Sequence, residues 1–303
     1  MRSNRISGIG VNMKITRSYA LKKFKKEIGQ ANHFLITILV GLDGVKSGKV
    51  EKNDEFSTAW NPKDVVASAE RSRIYTIKAS LAWVVDCLDM YLRLCNRKPR
   101  LLSEELSNKF NGTGHSVYEK YKLVSDEYAV NDIDKAVVDL LICWRNRMVH
   151  FDADNDISKE SRNVVATILG EDESVKKTHL DIVQMMDSFD RKGCPRFKEM
   201  TFMTSKTISF VESLDKILLD EVDVLTALDD ILSSELKRNQ QIFNGIFSTV
   251  GDKRRQKIIQ FIKNCGFVEI EDSSKEVNMF IDFISNISYK EAKDNLLSGT
   301  LKK

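Results

Sequence analysis

Histidine is scarce in this chain, with four in 303 residues, so each one can be considered for proton transfer near neutral pH. His150 is distinctive because it follows an apolar segment and the pair Arg145-Asn146. On a helix, Asn146 and Arg147 lie four and three residues before His150 and share its face. Arg145 is offset by ~140° around the helix axis, so we expect Arg145 and His150 to flank a cleft.

These residue types could cleave RNA without a metal ion. The imidazole of His150 could transfer a proton at the 2′-hydroxyl or at the leaving 5′-oxygen. Arg145, planar and permanently charged, could stabilise the transition state at phosphorus. Asn146 would orient the reacting groups, and Arg147 could bind the RNA backbone as a substrate-binding residue. The attacking hydroxyl would belong to the substrate, so the reaction would leave a 2′,3′-cyclic phosphate.

The segment Arg145-Asn146-Arg147-Met148-Val149-His150 resembles the signature of the HEPN superfamily (higher eukaryotes and prokaryotes nucleotide-binding). That signature is an arginine, often followed by asparagine, and a histidine four to six residues further on, at the end of an apolar helix. The resemblance implies an all-α helical bundle and a metal-independent endoribonuclease without a cofactor. It also implies a homodimer with a composite active site, acting as a toxin or anti-phage effector with an antitoxin or defence partner.

A non-catalytic interpretation stays open beside this one. Arg145 and His150 at a helix C-terminus also suit the negative end of the helix dipole. The chain could then be a helical module that binds nucleotides or a protein partner. Some HEPN toxins are silenced by nucleotidylation of a tyrosine two residues after the histidine; this chain has Asp152 there, which argues against that form of control.

Other candidate residues are assigned structural roles. We expect His33 in the core or at its boundary, His115 in an ordinary turn, and His179 near a helix start. Asp152, Asp154 and Asp156 match the first three ligands of a calcium loop, but Ile157 and Asn163 stand where glycine and glutamate are required, so no metal site is predicted. Asp156 is instead expected to cap the next helix, and carboxylates near His150 could orient its ring.

The elements that position these residues are predicted to be helices. Three prolines and 14 glycines are few for an all-β chain of this length. Apolar residues at three- and four-residue steps predict a long helix at 62–97, with Asn61 as its N-cap, and a second that starts at Asn131 or Asp132 and ends near His150. Further helices are expected at 15–40, 116–124, 157–169, 179–189, 201–219, 221–247, 251–263 and 275–286, with loops at 41–60 and 100–115 and a short strand at 266–271.

The helical pattern is broken at Gly193-Cys194-Pro195, which suggests two domains. Residues 1–195 would form a HEPN-like helical domain that contains the motif, and residues 196–303 a helical C-terminal region of unknown role. The net charge of +3 does not by itself indicate nucleic-acid binding. Two basic stretches, the residues before Glu27 and Lys253-Arg254-Arg255, could contact phosphate or could simply be solvated helix faces.

Cysteine usage and hydropathy bear on the compartment. The five cysteines form no C-x-x-C pair, which predicts buried free thiols in a reducing compartment and a cytoplasmic protein. The longest apolar run, residues 34–42, is shorter than the ~20 residues that span a membrane, so no membrane association is predicted.

Overall fold

Helices account for almost all the regular structure in the computed structural model, which describes residues 13–53, 55, 57, 59–97, 100–150, 152–168, 179–222, 224–269 and 275–298. The all-α prediction is confirmed. The helices are, in chain order, α1 (Tyr19–Lys46), α2 (Val65–Cys95), α3 (Glu104–Gly112), α4 (Val117–Glu127), α5 (Asp132–Val149), α6 (Lys159–Asn163), α7 (Ile182–Asp190), α8 (Phe197–Asp220), α9 (Val224–Arg238), α10 (Gln240–Phe247), α11 (Gly251–Asn264), α12 (Lys275–Asn286) and α13 (Tyr289–Ser298). A π-helical turn, Val164–Ile168, follows α6.

The chain forms two compact units, each assembled from separate stretches of sequence. The first unit comprises the described residues within Met1–Lys22, Leu94–Glu104 and Asp215–Lys303, and the second those within Lys23–Arg93 and Glu105–Leu214. The motif Arg145–His150 lies entirely in the second unit. The division of the sequence into domains at residue 195 stays a prediction.

Helix α5 runs through the core of the second unit. Residues 136–144 are all buried, and the indole of Trp144 packs edge-on against Phe189, with 5.5 Å between the ring centres. The indole Nε1 donates a hydrogen bond of 2.8 Å to the Gly193 carbonyl oxygen. The helix starts where Asn131 accepts hydrogen bonds from the backbone N–H groups of Ile133 and Asp134, as its sequence predicts. These contacts fix α5 along its length, so the position of its C-terminal end, which carries the motif, is fixed as well.

Helix α1 differs from its predicted bounds at both ends. Ile15, the first residue of the predicted helix, instead ends strand β1 (Met13–Ile15), which pairs antiparallel with β2 (Phe267–Glu269). Ser18 then caps α1, because its Oγ accepts the N–H of Leu21 at 3.0 Å. Gly266, between α11 and β2, has φ +105°, and a Cβ there would lie 2.3 Å from the Arg17 carbonyl oxygen, so only glycine fits.

The predicted loop at 41–60 is wrong over its first residues, since α1 continues to Lys46. Glycine weakens a helix by about 1 kcal/mol, but tertiary contacts offset that cost here. A Cβ on Gly44 would lie 2.7 Å from Cγ2 of Val50, so the glycine lets the chain fold back closely on the helix. Lys46 also forms an ion pair with Glu70 of α2.

Three other predicted segments differ from the structure. Residues Glu104–Gly112, predicted as loop, form α3, which buries Leu106 and Phe110. The helix predicted at 221–247 is interrupted at Asn239, whose side chain accepts the N–H of Ile242 at 3.2 Å and caps α10. Helix α2 is capped by Asp64 rather than Asn61, through a bond of 2.9 Å from the Ala67 N–H. The predicted strand is present as β2, and residues 270 and 271 lie outside the described residues.

Helix α1 is the described helix that is long and apolar enough to cross a membrane by length and composition alone. Only 17% of the most apolar 18-residue stretch of α1 is buried. Core helices of soluble proteins and signal sequences meet the same criterion, so the expected cytoplasmic location stays a prediction. None of the five cysteines, all of which the structure describes, is in a disulfide. Three of them are buried, and burial raises the pKa of Cys87 to about 12.

The central residue of the basic cluster Lys253-Arg254-Arg255 is buried, whereas Lys253 is exposed and Arg255 is partly exposed. Arg254 is 5% exposed, and its guanidinium donates hydrogen bonds to the carbonyl oxygens of Phe247, Thr249, Ser285 and Ile287. These carbonyls lie at or just beyond the ends of α10 and α12, where the helix dipole favours a cation. Arg254 therefore joins two helix ends within the first unit and is not available to bind RNA.

Replacement of Arg254 by alanine should lower the free energy of unfolding by about 3 kcal/mol, because four carbonyl groups lose a charged donor. The neighbouring Arg255→Ala is the control: it breaks a solvent-accessible ion pair with Asp282 and a hydrogen bond to Asn278, and it should cost at most ~1 kcal/mol. Urea titration of both variants measures the difference. Equal losses for the two would contradict the joining role of Arg254.

Candidate functional site

His150 lies just beyond the C-terminal end of α5, the helix that carries Arg145. Val149 is the last residue of α5, and His150 is the C-cap, with φ −104° and ψ 122°. Its N–H still donates to the Asn146 carbonyl oxygen at 3.0 Å, but its side chain no longer follows helical spacing. Its Nε2 lies 3.4 Å from Nη1 of Arg145. The two side chains therefore contact each other directly, which the ~140° offset on a continuous helix does not predict.

Both side chains line one cavity of about 740 Å³ in the second unit. Its size is within the about 300–1,000 Å³ typical of ligand pockets. Three segments form its wall: the end of α5 (Arg145, Asn146, Val149, His150), the start of α4 (His115, Ser116, Val117, Tyr118, Glu119) and the turn after α5 (Asp152, Ala153, Asn155). The structure thus brings three predicted catalytic residues, Arg145, Asn146 and His150, to the same cavity.

Arg145 is a partly buried cation without a counter-ion among the described residues. Burial lowers the pKa of its guanidinium, and the charges of Asp86 and Asp89 on α2 act against that shift. No described carboxylate forms an ion pair with it, and its buried Nε has no hydrogen-bond partner in the described part of the chain. A desolvated cation of this kind gains most when an anion binds. Arg145 is therefore available to a negatively charged ligand.

The carboxylate of Asp89 forms ion pairs with Lys120 and Arg93, and it fixes the part of the cavity wall that α4 contributes. Its Oδ1 accepts from Nζ of Lys120 at 2.8 Å, and its Oδ2 pairs with Arg93 at 2.8 Å. The Lys120 side chain is only 6% exposed. This ion pair joins α4 to α2, so the first turn of α4 is fixed against the cavity.

The start of α4 adds further polar groups to the cavity. Ser116 caps the helix, and its Oγ accepts the N–H of Glu119 at 3.2 Å. The first backbone N–H groups of a helix, here those of Val117 and Tyr118, have no intrahelical acceptor, and they mark its positive dipole end. Burial, followed by the charge of Asp139, raises the pKa of Tyr118 to about 12, so its phenol stays protonated. The cavity therefore offers several donors to an anion.

Arg147, predicted to bind substrate, does not line the cavity. Its Nη1 donates a bond of 3.0 Å to the Phe189 carbonyl oxygen, and its guanidinium carbon lies 4.0 Å from the centre of the Phe189 ring. Its Nε donates to the carbonyl oxygen of Asn155, and its Nη2 lies 3.5 Å from Asp156. The side chain is 7% exposed. Arg147 holds the turn after the motif against α7.

Two of the acidic residues that follow the motif form ion pairs with basic side chains. Asp154 pairs with Lys192 at 2.9 Å, and Asp156 pairs with Arg162 at 2.8 Å. Asp152 lines the cavity. The N-cap of α6 is Ser158 rather than Asp156. Among the residues that the structure describes, no group of three or more histidine, cysteine or carboxylate side chains could hold a metal ion.

His115 is the cavity residue that sequence reasoning assigned to an ordinary turn. It lies between α3 and α4, directly before the N-cap Ser116, and it faces the same cavity as His150. The signal in the sequence was its position before a helix start, where side chains gather around the free N–H groups. Of the other histidines, His33 is exposed on α1, so its expected place in the core is wrong, and His179 has φ +51° before the cap of α7.

The fold and the cavity define an all-α protein with an arginine–histidine pair in a ligand-sized pocket. No family model, no curated protein and no solved structure matches the chain. The resemblance to the HEPN superfamily therefore depends on Arg145-Asn146, His150 and the helix that carries them.

The two motif arginines should differ in their effect on folding. Arg147→Ala removes bonds to two carbonyl groups and a contact with an aromatic ring, and it should lower the free energy of unfolding by about 2 kcal/mol. Arg145→Ala removes no ion pair with a described residue and should change it by less than about 1 kcal/mol. Urea unfolding compares the two variants, and the reverse order would show that the roles are misassigned.

Proposed function

We propose that this protein is a metal-independent endoribonuclease that cleaves RNA by attack of the 2′-hydroxyl and leaves a 2′,3′-cyclic phosphate. The observation that carries the proposal is the pair formed by Arg145 and His150. A guanidinium with no counter-ion among the described residues lies 3.4 Å from an imidazole, and both face a cavity of about 740 Å³. Together they combine charge stabilisation with proton transfer at one place.

The charged donors suit a phosphodiester. Arg145 would donate to the non-bridging oxygens, since a planar guanidinium matches two oxygens of one phosphate. The N–H groups of Val117 and Tyr118 at the start of α4 would support the same negative charge. These donors are held in place before the substrate arrives, so they stabilise the transition state without rearrangement.

The contact between the two side chains supports the assignment of His150 as the general base. A guanidinium has donors and no acceptor, so Nε2 of His150 accepts in this contact and the ring hydrogen is on Nδ1. When a phosphate takes the donors of Arg145, the lone pair of Nε2 is released. It can then accept the proton of the 2′-hydroxyl, which makes His150 the general base. Asn146, on the same wall, would orient the substrate.

The exposed end of α5 is consistent with further parts of the proposal. Val149 is 48% exposed and His150 is exposed, so the rim of the cavity is open to a polymer. As the HEPN resemblance implies, we include a homodimer with a composite site, and a role as a toxin or anti-phage effector restrained by a partner protein. These parts rest on the resemblance alone.

The composition of the cavity wall favours a second candidate function, nucleotide binding without cleavage. Val117, Tyr118 and Val149 offer apolar and aromatic surface on which a base could pack beside the phosphate-binding donors. Such a protein would be stabilised against heat by a nucleotide, and it would release no RNA products.

Cleavage should depend on the two motif side chains. His150→Ala should slow RNA cleavage by about 10²–10⁴-fold, and Arg145→Ala by about 10²–10³-fold. The measurement is the rate at which purified protein produces 2′,3′-cyclic phosphate ends from a defined RNA. His33→Ala, which replaces an exposed histidine of α1, is the matched control and should cleave at the wild-type rate. Undiminished cleavage by a folded His150→Ala protein would refute the assignment.

Removal of divalent metal ions should leave the reaction intact. Arg145 supplies the positive charge and His150 the proton transfer, so the proposed mechanism has no step that a metal must perform. We expect the same cleavage rate and the same product ends with an excess of EDTA as without it. Inhibition that added Mg²⁺ or Mn²⁺ reverses would indicate a metal-dependent nuclease instead.

A further inference from the structure

His115 is a second histidine in the cavity that the reaction above does not use. It precedes α4, on the wall formed by that helix, whereas His150 lies on the wall formed by the end of α5. Its side chain is exposed and forms no hydrogen bond or ion pair with any residue in the described ranges. Its place at the cavity is nevertheless defined, because the next residue, Ser116, caps α4.

The proposed cleavage needs two proton transfers at different atoms. The bond from the 2′-oxygen to phosphorus forms while the bond from phosphorus to the 5′-oxygen breaks, and the two oxygens lie roughly in line. One group must accept the proton of the 2′-hydroxyl, and another must donate a proton to the departing 5′-oxygen. A single imidazole at one wall is poorly placed to reach both oxygens at once.

His150 and His115 have different surroundings, which suit them to different proton transfers. Nε2 of His150 faces the donor-only guanidinium of Arg145, so it is held as an acceptor. No described residue bonds to His115, so both of its ring nitrogens are accessible to a substrate. The titratable groups that share the cavity with His115 are Tyr118, Glu119 and Asp152, in addition to the motif pair.

We infer that His115 is the general acid, which donates its proton to the 5′-oxygen as the chain breaks. The proton taken from the 2′-hydroxyl goes to His150, and the one lost by His115 goes to the new 5′-hydroxyl, so no water is consumed in this step. This inference rests on the proposed ribonuclease function and adds a residue from outside the motif. Both histidines belong to the same chain and the same unit.

A change of leaving group tests this assignment. A short RNA with sulfur in place of the bridging 5′-oxygen has a leaving group that departs as a thiolate and needs no proton. We expect His115→Ala to cleave the unmodified RNA at least about 10²-fold more slowly than the wild type and the sulfur-bridged RNA at nearly the wild-type rate. His150→Ala should be slow with both substrates, because the 2′-hydroxyl still needs a base.

Controls separate the role of His115 from effects on folding. His115→Gln keeps a polar side chain of similar reach and should behave as His115→Ala does, and both variants should unfold at the wild-type urea concentration because the side chain is exposed. His33→Ala should match the wild type with both substrates.

Two results would overturn the inference while leaving the ribonuclease proposal in place. One is wild-type cleavage of the unmodified RNA by His115→Ala, and the other is an equal loss by that variant with both substrates. If the wild-type protein cleaves neither substrate, the proposed function fails, and this inference fails with it.

Discussion

The geometry at the end of α5 depends on how Arg147 is held. Its guanidinium bonds to the carbonyl oxygens of Phe189 and Asn155 and lies on the Phe189 ring, so one side chain ties the turn after the motif to α7. The ring of Phe189 in turn packs on Trp144, one turn earlier in α5. The path of the chain after Val149 is therefore set by the core, and with it the direction in which His150 points.

This arrangement gives two arginines in the motif opposite tasks. Arg147 is fully engaged by carbonyl oxygens, an aromatic ring and a carboxylate, and it contributes to folding. Arg145 is desolvated, has no ion pair among the described residues, and lies next to His150. A partly buried cation that folding leaves without a counter-ion is costly, and such cost is typical of groups that act on a ligand. The contrast between the two residues is the physical basis of the proposed site.

Sequence reasoning could predict what depends on local signals. The start of α5 at Asn131 and its end near His150 follow from capping chemistry and apolar spacing, and both agree with the structure. The contact between Arg145 and His150 could not be predicted, because it depends on dihedral angles that the helix no longer sets. Likewise, the burial of Arg147 depends on Phe189, which is 42 residues away in the sequence. The position of His115 depends on the ion pair between Lys120 of α4 and Asp89 of α2.

Each of the two units is assembled from separate stretches of sequence, and this limits how a unit can be exchanged between proteins. Neither unit is encoded by one continuous stretch. In the first unit, the backbone N–H of Ser18 donates a hydrogen bond of 3.0 Å to Oδ2 of Asp215, almost 200 positions later in the chain. A single crossover between genes could therefore not transfer either unit complete and by itself, because any fragment that holds the whole second unit also holds part of the first. An engineered transplant of the second unit as one continuous segment accordingly has to carry residues 94–104 of the first unit with it.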